Sequence, residues 1–394
     1  MHATHLCCPR CRWETELKLV YSCERCGFSL DVRYDYDSVD KSALKAAFSG
    51  GRLWSFRELL PLSAGYGPLT LLEGGTPLLP SVSLGKSFGF ELLFKDETRN
   101  PTASFKDRPN TVGISMARQF GAKAVAIAST GNGAASISAY AARGGMPCYV
   151  FVPEHTSASK LLQIRSHGAE LVLTPGDYSA SFAAAQDACL REGWANMTST
   201  YLNPYTMEGD KTIAYELFSR LEGRVPDWII VPLGAGAMLT GVYKGYRELQ
   251  ALGFVSELPR MCGVQASGCA PITRAWEENL PEVLEWENCE TVAHAIADPL
   301  TGYAKDGTRT LTTIRESNGC GITAPEDDII RHAAMLARKE GLYVEAGAAS
   351  ASAAAELLYK KGLAAHGQTV VAIITGHGLK ENKIIGGAPD ESKG

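Results

Sequence analysis

The sequence has no long hydrophobic run and no block of charge of one sign. No uninterrupted apolar stretch reaches the about 18 residues expected of a transmembrane helix, and residues 1–5 lack the hydrophobic core of a secretory signal. The 38 basic and 43 acidic residues give a formal net charge of -5, and no basic cluster indicates a nucleic-acid surface. We therefore expect a cytoplasmic protein that binds neither membranes nor nucleic acids.

Charged residues are also few. They make up 21% of the chain, whereas hydrophobic residues make up 45% and glycine contributes 40 residues. This composition is typical of a globular α/β protein and not of a disordered one. At 394 residues the chain exceeds the usual size of one domain, so we expect two or more packing units.

The cysteines are unevenly distributed. Five of the 11 lie within the first 26 residues and the other six are scattered singly, which does not indicate a disulfide framework. Two Cys-x-x-Cys pairs, Cys8 with Cys11 and Cys23 with Cys26, can present four thiolates to one tetrahedral zinc ion. Because Cys7 is adjacent to Cys8, either of the two could be the first ligand. The alternative to a metal site is a loop-rich extension with free thiols. We predict a structural zinc ion, because no nucleophile or open ligand position accompanies the cysteines.

Apolar runs of strand length recur along the rest of the chain and are separated by stretches of helical periodicity. They lie at residues 92–95, 124–128, 148–152, 170–173, 228–231, 261–264 and 370–374. This alternation predicts an α/β fold with doubly wound parallel sheets.

The order of these patterns also predicts a division of the chain. We expect short helices at residues 41–48 and 53–60 to lead into the main body. The predicted parts are a zinc-ribbon-like extension (1–34), a connector (35–71), a small mobile domain (111–193) and a large domain (72–110 and 194–394), with the active site between the last two.

Four short motifs have the composition of a binding site. Lys106 is framed by small residues and an aromatic in Pro-Thr-Ala-Ser-Phe-Lys-Asp-Arg (101–108), at a predicted helix start. Glycine-containing segments at 129–133, 234–237 and 375–378 each follow a predicted strand. A lysine amine can condense with an aldehyde, and glycine-rich strand ends can bind a phosphate. Together they indicate a site for pyridoxal phosphate (PLP).

Two other phosphate-binding patterns are close but incomplete. The segment beginning at Gly234 follows a buried strand and opens a predicted helix, as in dinucleotide-binding folds. Leu239, however, occupies the place of the third glycine in G-x-G-x-x-G. Residues 80–87 end in Gly-Lys-Ser, but Pro80 stands where a P-loop needs glycine. Neither nucleotide motif is supported.

In this order, the motifs resemble those of the threonine synthase family of fold-type II PLP enzymes, which have a tryptophan synthase β-like fold. The resemblance runs from residue 72 to residue 382 and includes Asn-Pro-Tyr-Thr-Met-Glu-Gly at 203–209. Cysteate synthases are close relatives with similar features. The resemblance implies a PLP-dependent lyase or synthase of amino-acid biosynthesis with a small amino-acid substrate, and commonly a homodimer.

The resemblance also implies roles for particular residues. Lys106 would form the Schiff base with PLP and then carry protons, and Phe105 would pack beside the ring, unless it is an ordinary core aromatic. Asn132 would bind the 3′-oxygen of PLP, and Thr375 would face the pyridine nitrogen with a neutral hydroxyl, which favours elimination. The phosphate would be bound by Gly234, Ala235, Gly236, Ala237 and Met238, and the substrate carboxylate by Ser129, Thr130, Gly131 and Gly133.

At two places, this sequence differs from enzymes that use O-phosphohomoserine. Gly133 stands where such enzymes carry a threonine, and Asp177 lies in a segment that lacks their arginine. Lys160 and Arg165 are candidates for binding the substrate anion, or are solvated surface charges. The default reaction converts O-phosphohomoserine and water to threonine and phosphate. The alternatives are β-replacement on O-phosphoserine, deamination of a hydroxy amino acid, or a non-catalytic zinc-ribbon scaffold.

Overall fold

The computed structural model describes residues 2–156, 158–176, 178–198 and 201–381, apart from the side chains of residues 158–160. Asp177 and the Lys160 side chain lie outside the described residues, as does the end of the predicted large domain. The strands among the described residues are β1 (Ala3–Cys7), β2 (Glu14–Thr15), β3 (Asp31–Tyr34), β4 (Leu78–Pro80), β5 (Glu91–Asp96), β6 (Val125–Ala128), β7 (Cys148–Pro153), β8 (Glu170–Thr174), β9 (Ala195–Asn196), β10 (Trp228–Pro232), β11 (Arg260–Ala266), β12 (Cys320–Ala324) and β13 (Thr369–Ile374).

The helices alternate with these strands. They are α1 (Lys41–Ala47), α2 (Leu84–Phe88), α3 (Asp107–Gln119), α4 (Asn132–Gly144), α5 (Ala158–Ser166), α6 (Tyr178–Glu192), α7 (Met207–Asp210), α8 (Thr212–Arg220), α9 (Ala237–Ala251), α10 (Pro271–Glu277), α11 (Ala304–Glu316), α12 (Glu326–Met335) and α13 (Ala346–Lys360). Short 3-10 segments lie at Tyr36–Ser38, Leu53–Leu59, Glu97–Arg99, His294–Ile296 and Gly378–Lys380, and a π-type turn at Leu336–Glu340. Across the described ranges, no helix has the length and apolar character needed to span a membrane.

The seven predicted strands are confirmed, with ends that differ by one or two residues. The described residues contain six further strands, β1–β4, β9 and β12. Of these, β12 is a short Cys-Gly-Ile-Thr-Ala segment whose single large apolar residue provides little hydrophobic pattern. The predicted helix at 41–48 is confirmed as α1. The second predicted short helix lies at Leu53–Leu59 and is of the 3-10 type, with a kink at Phe56, whose φ of -88° and ψ of 29° are not helical.

The chain divides into two compact units. The second unit comprises, among the described residues, 76–99, 224–243 and 257–381. Its sheet has six strands in the order β12-β11-β10-β13-β5-β4, and only β4 pairs antiparallel to its neighbour. β10 and β13 are buried along their whole length, as expected of parallel strands covered by helices on both faces. Their carboxyl ends therefore lie side by side within a rigid core.

The first unit comprises residues 1–75, 100–223 and 244–256. It contains a four-stranded parallel sheet in the order β8-β7-β6-β9 and a three-stranded antiparallel sheet in the order β2-β1-β3. Residues of α3 belong to apolar clusters beside both sheets. The domain boundaries proposed from the sequence stay a prediction.

Candidate active site

Lys106 lies at the start of α3, as its sequence context predicts. It is the N-cap residue of this helix. Asp107 occupies the first turn, where a carboxylate interacts favourably with the helix dipole. Pro109 is also in the first turn, where its missing N–H costs no helical hydrogen bond. Lys106 is half-buried, and its Nζ lies 4.6 Å from the centre of the Phe105 ring.

A buried carboxylate follows directly after this lysine. Asp107 is inaccessible to solvent and accepts hydrogen bonds at 2.6 Å from the Thr102 N–H, the Thr102 hydroxyl and the Ser136 hydroxyl. Ser136 lies on α4, and Asn110 on α3 donates to the Gly133 carbonyl at 3.2 Å. Side-chain contacts therefore hold the start of α3 against the first turns of α4, where the predicted carboxylate-binding residues are.

The predicted carboxylate-binding loop leads from β6 into α4. Gly131 is the N-cap residue of this 13-residue helix, and its N–H donates to the Ser129 hydroxyl at 3.2 Å. A Cβ built on Gly131 would meet no atom within 4 Å, so the loop has open space at that point. Because the first N–H groups of a helix have no partner within it, they are available to an anion. Asn132 is the first residue of α4 and is half-buried.

The predicted phosphate-binding loop lies in the second unit, after the carboxyl end of β10. It leads into α9, as predicted. Gly236 has φ +92°, and a Cβ there would lie 2.4 Å from two Thr310 atoms, so only glycine fits. The loop is held by the Thr310 hydroxyl, which donates to the Ala235 carbonyl at 2.5 Å, and by the Gln265 amide, which donates to the Gly234 carbonyl at 3.4 Å.

Thr375 follows β13, the strand that pairs with β10. It is buried and lies at the same sheet edge as the glycine loop. The next residue, Gly376, packs against Glu345, since a Cβ there would lie 2.1 Å from a Glu345 oxygen. His377 accepts a hydrogen bond on Nδ1 from the Leu379 N–H at 3.1 Å. This local contact closes the turn that follows Thr375.

Each unit thus contains part of the predicted site. The first unit brings together Lys106, Phe105 and the loop at 129–133, and the second brings together the loop at 234–238 and Thr375. Arg165 on α5 is exposed, as a solvated charge would be. The residues have the chemistry that PLP needs, because each unit offers a glycine-bounded helix N-terminus that can bind an anionic group.

The two cysteine pairs form one cluster in the first unit. The four Sγ atoms of Cys8, Cys11, Cys23 and Cys26 all lie within 4.8 Å of one another. Cys8 and Cys26 are 3.6 Å apart and Cys11 and Cys23 are 3.4 Å apart. A tetrahedral zinc ion with Zn–S distances of about 2.3 Å needs sulfur atoms about 3.8 Å apart. The cluster fits this geometry, and Cys7 is not part of it.

Asp107 has a structural role that the sequence analysis did not assign. The residue was part of the lysine motif, but its partners Thr102 and Ser136 are known only from the structure. The only local signal was a carboxylate at a helix start directly after the candidate lysine. Burial raises the pKa of Asp107 to about 6, with Glu73 contributing, against the hydrogen bonds from Ser136 and Thr102.

This pKa predicts how stability depends on pH. Because the folded state holds the Asp107 proton more tightly than the unfolded state, Asp107 should cost stability as pH rises from about 4 to about 6. In Asp107→Asn this component should be absent, so the unfolding free energy of the variant relative to wild type should rise by roughly 3 kcal/mol between about pH 3 and about pH 7. Urea unfolding at several pH values measures it.

The matched control is Asp187→Asn on α6, where the carboxylate is 68% exposed and lies 3.1 Å from Arg191. This variant should keep the pH dependence of the wild type. A pH-independent difference between Asp107→Asn and the wild type would contradict the assignment of the titration to Asp107.

The chain matches known proteins along most of its length. A family model described as pyridoxal-phosphate dependent enzyme matches residues 69–376. The threonine synthase of Methanosarcina acetivorans is 37% identical over 384 residues, which cover 97% of this chain and 93% of that protein. The threonine synthase of Methanocaldococcus jannaschii is 36% identical over 370 residues, which cover 92% of this chain and 89% of that protein.

Solved structures of lower identity share the fold. The maize serine racemase structure has a TM-score of 0.65 at 19% identity and covers 77% of this chain and 88% of its own. Threonine deaminase isoform 2 from Solanum lycopersicum has a TM-score of 0.63 at 20% identity and covers 77% of this chain and 83% of its own. The predicted fold-type II architecture is therefore confirmed. Together with the matches at 36–37% identity, this shows that the chain belongs to the threonine synthase family of pyridoxal-phosphate-dependent enzymes.

Proposed function

We propose that this protein converts O-phosphohomoserine and water to threonine and phosphate. The observation that carries the proposal is the match to the Methanosarcina acetivorans threonine synthase over 97% of this chain and 93% of that protein. A match of this extent includes both the lysine motif and the glycine loops. When bound, PLP supplies the electron sink that makes the substrate bonds at Cα and beyond reactive.

Lys106 is proposed to bind the PLP aldehyde through its amine and afterwards to move protons at the substrate carbons. Its place at the N-cap of α3 supports this role, since Asp107 and Asn110 hold the helix start against α4. The contact with the Phe105 ring supports the proposal that Phe105 packs beside the cofactor.

The remaining roles are divided between backbone and side-chain groups. We propose that Asn132 binds the 3′-oxygen of PLP and that Thr375 faces its pyridine nitrogen. The buried position of Thr375 beside the glycine loop supports the second role. The proposed phosphate ligands are the N–H groups of Gly234, Ala235, Gly236, Ala237 and Met238, and those for the substrate carboxylate are the groups of Ser129, Thr130, Gly131 and Gly133. Lys160 stays a candidate from the sequence.

We also propose a structural zinc ion bound by Cys8, Cys11, Cys23 and Cys26. The sulfur distances of the cluster support it, and four thiolates leave no open position for a catalytic water. The homodimer and the cytoplasmic location stay predictions from the resemblance and the composition.

A product analysis tests the proposed reaction. Purified enzyme with PLP is incubated with O-phosphohomoserine, and threonine, phosphate and 2-oxo acid are measured. We expect threonine and phosphate in equal amounts and no 2-oxo acid, because the reaction ends with addition of water and not with loss of ammonia. Phosphate release without threonine would contradict the proposal.

One observation supports a second candidate, β-replacement on O-phosphoserine. Gly133 lacks the hydroxyl that enzymes using O-phosphohomoserine carry at this place, and a Cβ there would lie 3.3 Å from Ile127, a tight contact. Parallel incubations with O-phosphoserine plus sulfite and with threonine alone distinguish the reactions. Cysteate from the first would favour β-replacement, and 2-oxobutanoate from the second would favour deamination.

A further inference from the structure

We infer that the four-cysteine site positions helix α3 and Lys106 at its start, so that zinc binding strengthens cofactor binding. The inference rests on the proposed function, because it takes Lys106 as the cofactor lysine and the cysteines as zinc ligands. All of the contacts that carry it lie within the first unit.

The segment between the two cysteine pairs has little structure of its own. Every residue of 12–22 is half-buried or exposed, and the segment contains only the two-residue strand β2. The turns at its ends are closed by hydrogen bonds from the Arg12 N–H to the Cys8 carbonyl at 3.0 Å and from the Gly27 N–H to the Cys23 carbonyl at 2.8 Å. Because an ion that joins the ends of a loop lowers its conformational entropy, zinc should order this segment.

Apolar side chains of this segment pack against two clusters that contain residues of α3. Leu17 and Val20 pack against the cluster that includes Val112 and Met116. Leu19 packs against the cluster that includes Ile114 and Ala117. The buried ligands Cys8 and Cys23 belong to the same cluster as Val112. The zinc-binding segment therefore forms part of the packing around α3.

Two hydrogen bonds also join this segment to the body of the unit. The Tyr205 hydroxyl donates to the Lys18 carbonyl at 2.9 Å. The Tyr21 hydroxyl accepts from the Asn196 N–H, also at 2.9 Å. Both bonds depend on the conformation of residues 18–21, which lie between the two cysteine pairs.

Tyr205 belongs to a segment that contacts both ends of α3. Its ring centre lies 5.4 Å from that of Phe120, the C-cap residue of α3. Four residues further, Gly209 approaches the other end so closely that a Cβ there would lie 2.0 Å from the Arg108 carbonyl oxygen. Arg108 is two residues from Lys106. The contacts thus form a continuous series from the cysteine site to the helix start.

A ligand that stabilises one conformation of α3 favours every other ligand of that conformation. Zinc and PLP should therefore bind with positive coupling, and each should raise the affinity of the protein for the other by the same factor. Couplings of this kind are typically fivefold or more, and we expect zinc removal to weaken PLP binding by at least about fivefold.

The test measures PLP affinity by spectroscopic titration with zinc bound and after chelation. Zinc per chain is determined by metal analysis, and hydrogen exchange of residues 107–119 is followed in both states. We expect one zinc ion per chain, weaker PLP binding after chelation and faster exchange in 107–119. Equal PLP affinity in the two states, or a protein that binds no zinc, would overturn the inference.

A variant separates coupling from general loss of structure. Tyr21→Phe/Tyr205→Phe removes both hydrogen bonds but keeps the rings and all four cysteines. It should still bind one zinc ion, but PLP binding should weaken in the zinc-bound state and respond less to chelation. Tyr66→Phe, at a ring that is 43% exposed, should behave as the wild type.

If chelation unfolds the protein, the zinc-bound form of Tyr21→Phe/Tyr205→Phe tests the coupling in its place. If this form binds PLP as tightly as the zinc-bound wild type does, the coupling is refuted. PLP binding that is equal with and without zinc contradicts the coupling alone and leaves the proposed function intact. A chain that binds no PLP in either state contradicts both.

Discussion

Lys106→Ala is expected to lose the visible absorption of the lysine-linked cofactor and at least about 10³-fold in kcat, since general acid–base catalysis alone typically contributes 10²–10⁴-fold. The variant removes the amine that is proposed to bind the PLP aldehyde and to carry the proton afterwards. The measurements are the absorption spectrum of the purified protein and the initial rate of threonine formation.

Two further variants show whether the effect belongs to the amine. Lys106→Arg keeps the positive charge, but a guanidinium stays protonated and does not condense with an aldehyde, so it should be as inactive as Lys106→Ala. Lys123→Ala removes an exposed lysine of the same unit and should leave spectrum and rate unchanged. If borohydride reduction of Lys106→Ala still links the cofactor covalently to the chain, cofactor attachment belongs to another lysine.

Glu216→Gln is expected to lower the free energy of unfolding by about 3–5 kcal/mol, because it leaves a buried guanidinium without its carboxylate. The Arg108 side chain is fully buried and donates from Nη1 and Nη2 to the two Glu216 oxygens at 2.7 and 2.8 Å. Nη1 also donates to the Thr212 hydroxyl at 3.0 Å. Urea unfolding of variant and wild type under the same conditions measures the loss.

Two controls accompany this variant. Asp187→Asn breaks an exposed pair with Arg191 and should cost less than about 1 kcal/mol. The double variant Arg108→Met/Glu216→Gln removes the buried positive charge together with the carboxylate. The Gly75 N–H, which donates to Glu216 at 2.8 Å in the wild type, can still donate to the amide oxygen of the introduced glutamine. The double variant should therefore lose less stability than Glu216→Gln. A double variant that is less stable than the single one would contradict the explanation by an uncompensated charge.

In the cysteine region, the sequence predicted a four-ligand site but could not identify every ligand. Paired Cys-x-x-Cys spacing predicted four ligands, because ligands from tight turns are close in sequence. The choice between Cys7 and Cys8 needed the direction of each side chain, since neighbouring residues of an extended chain point to opposite sides. Only Cys8 joins the cluster.

The sequence by itself determined the local elements: the strands at 92–95 and 370–374, the helix that starts after Lys106, and the glycine loop that leads into α9. These elements follow from hydrophobic period and from residues adjacent in the chain, so contiguous sequence contains the whole signal. The tertiary structure alone decided which distant side chains meet. Asp107 and Ser136 are 29 residues apart, Arg108 and Glu216 are 108 apart, and Lys18 and Tyr205 are 187 apart. No local pattern encodes such pairs, because burial and strand order bring them together only when the chain has folded.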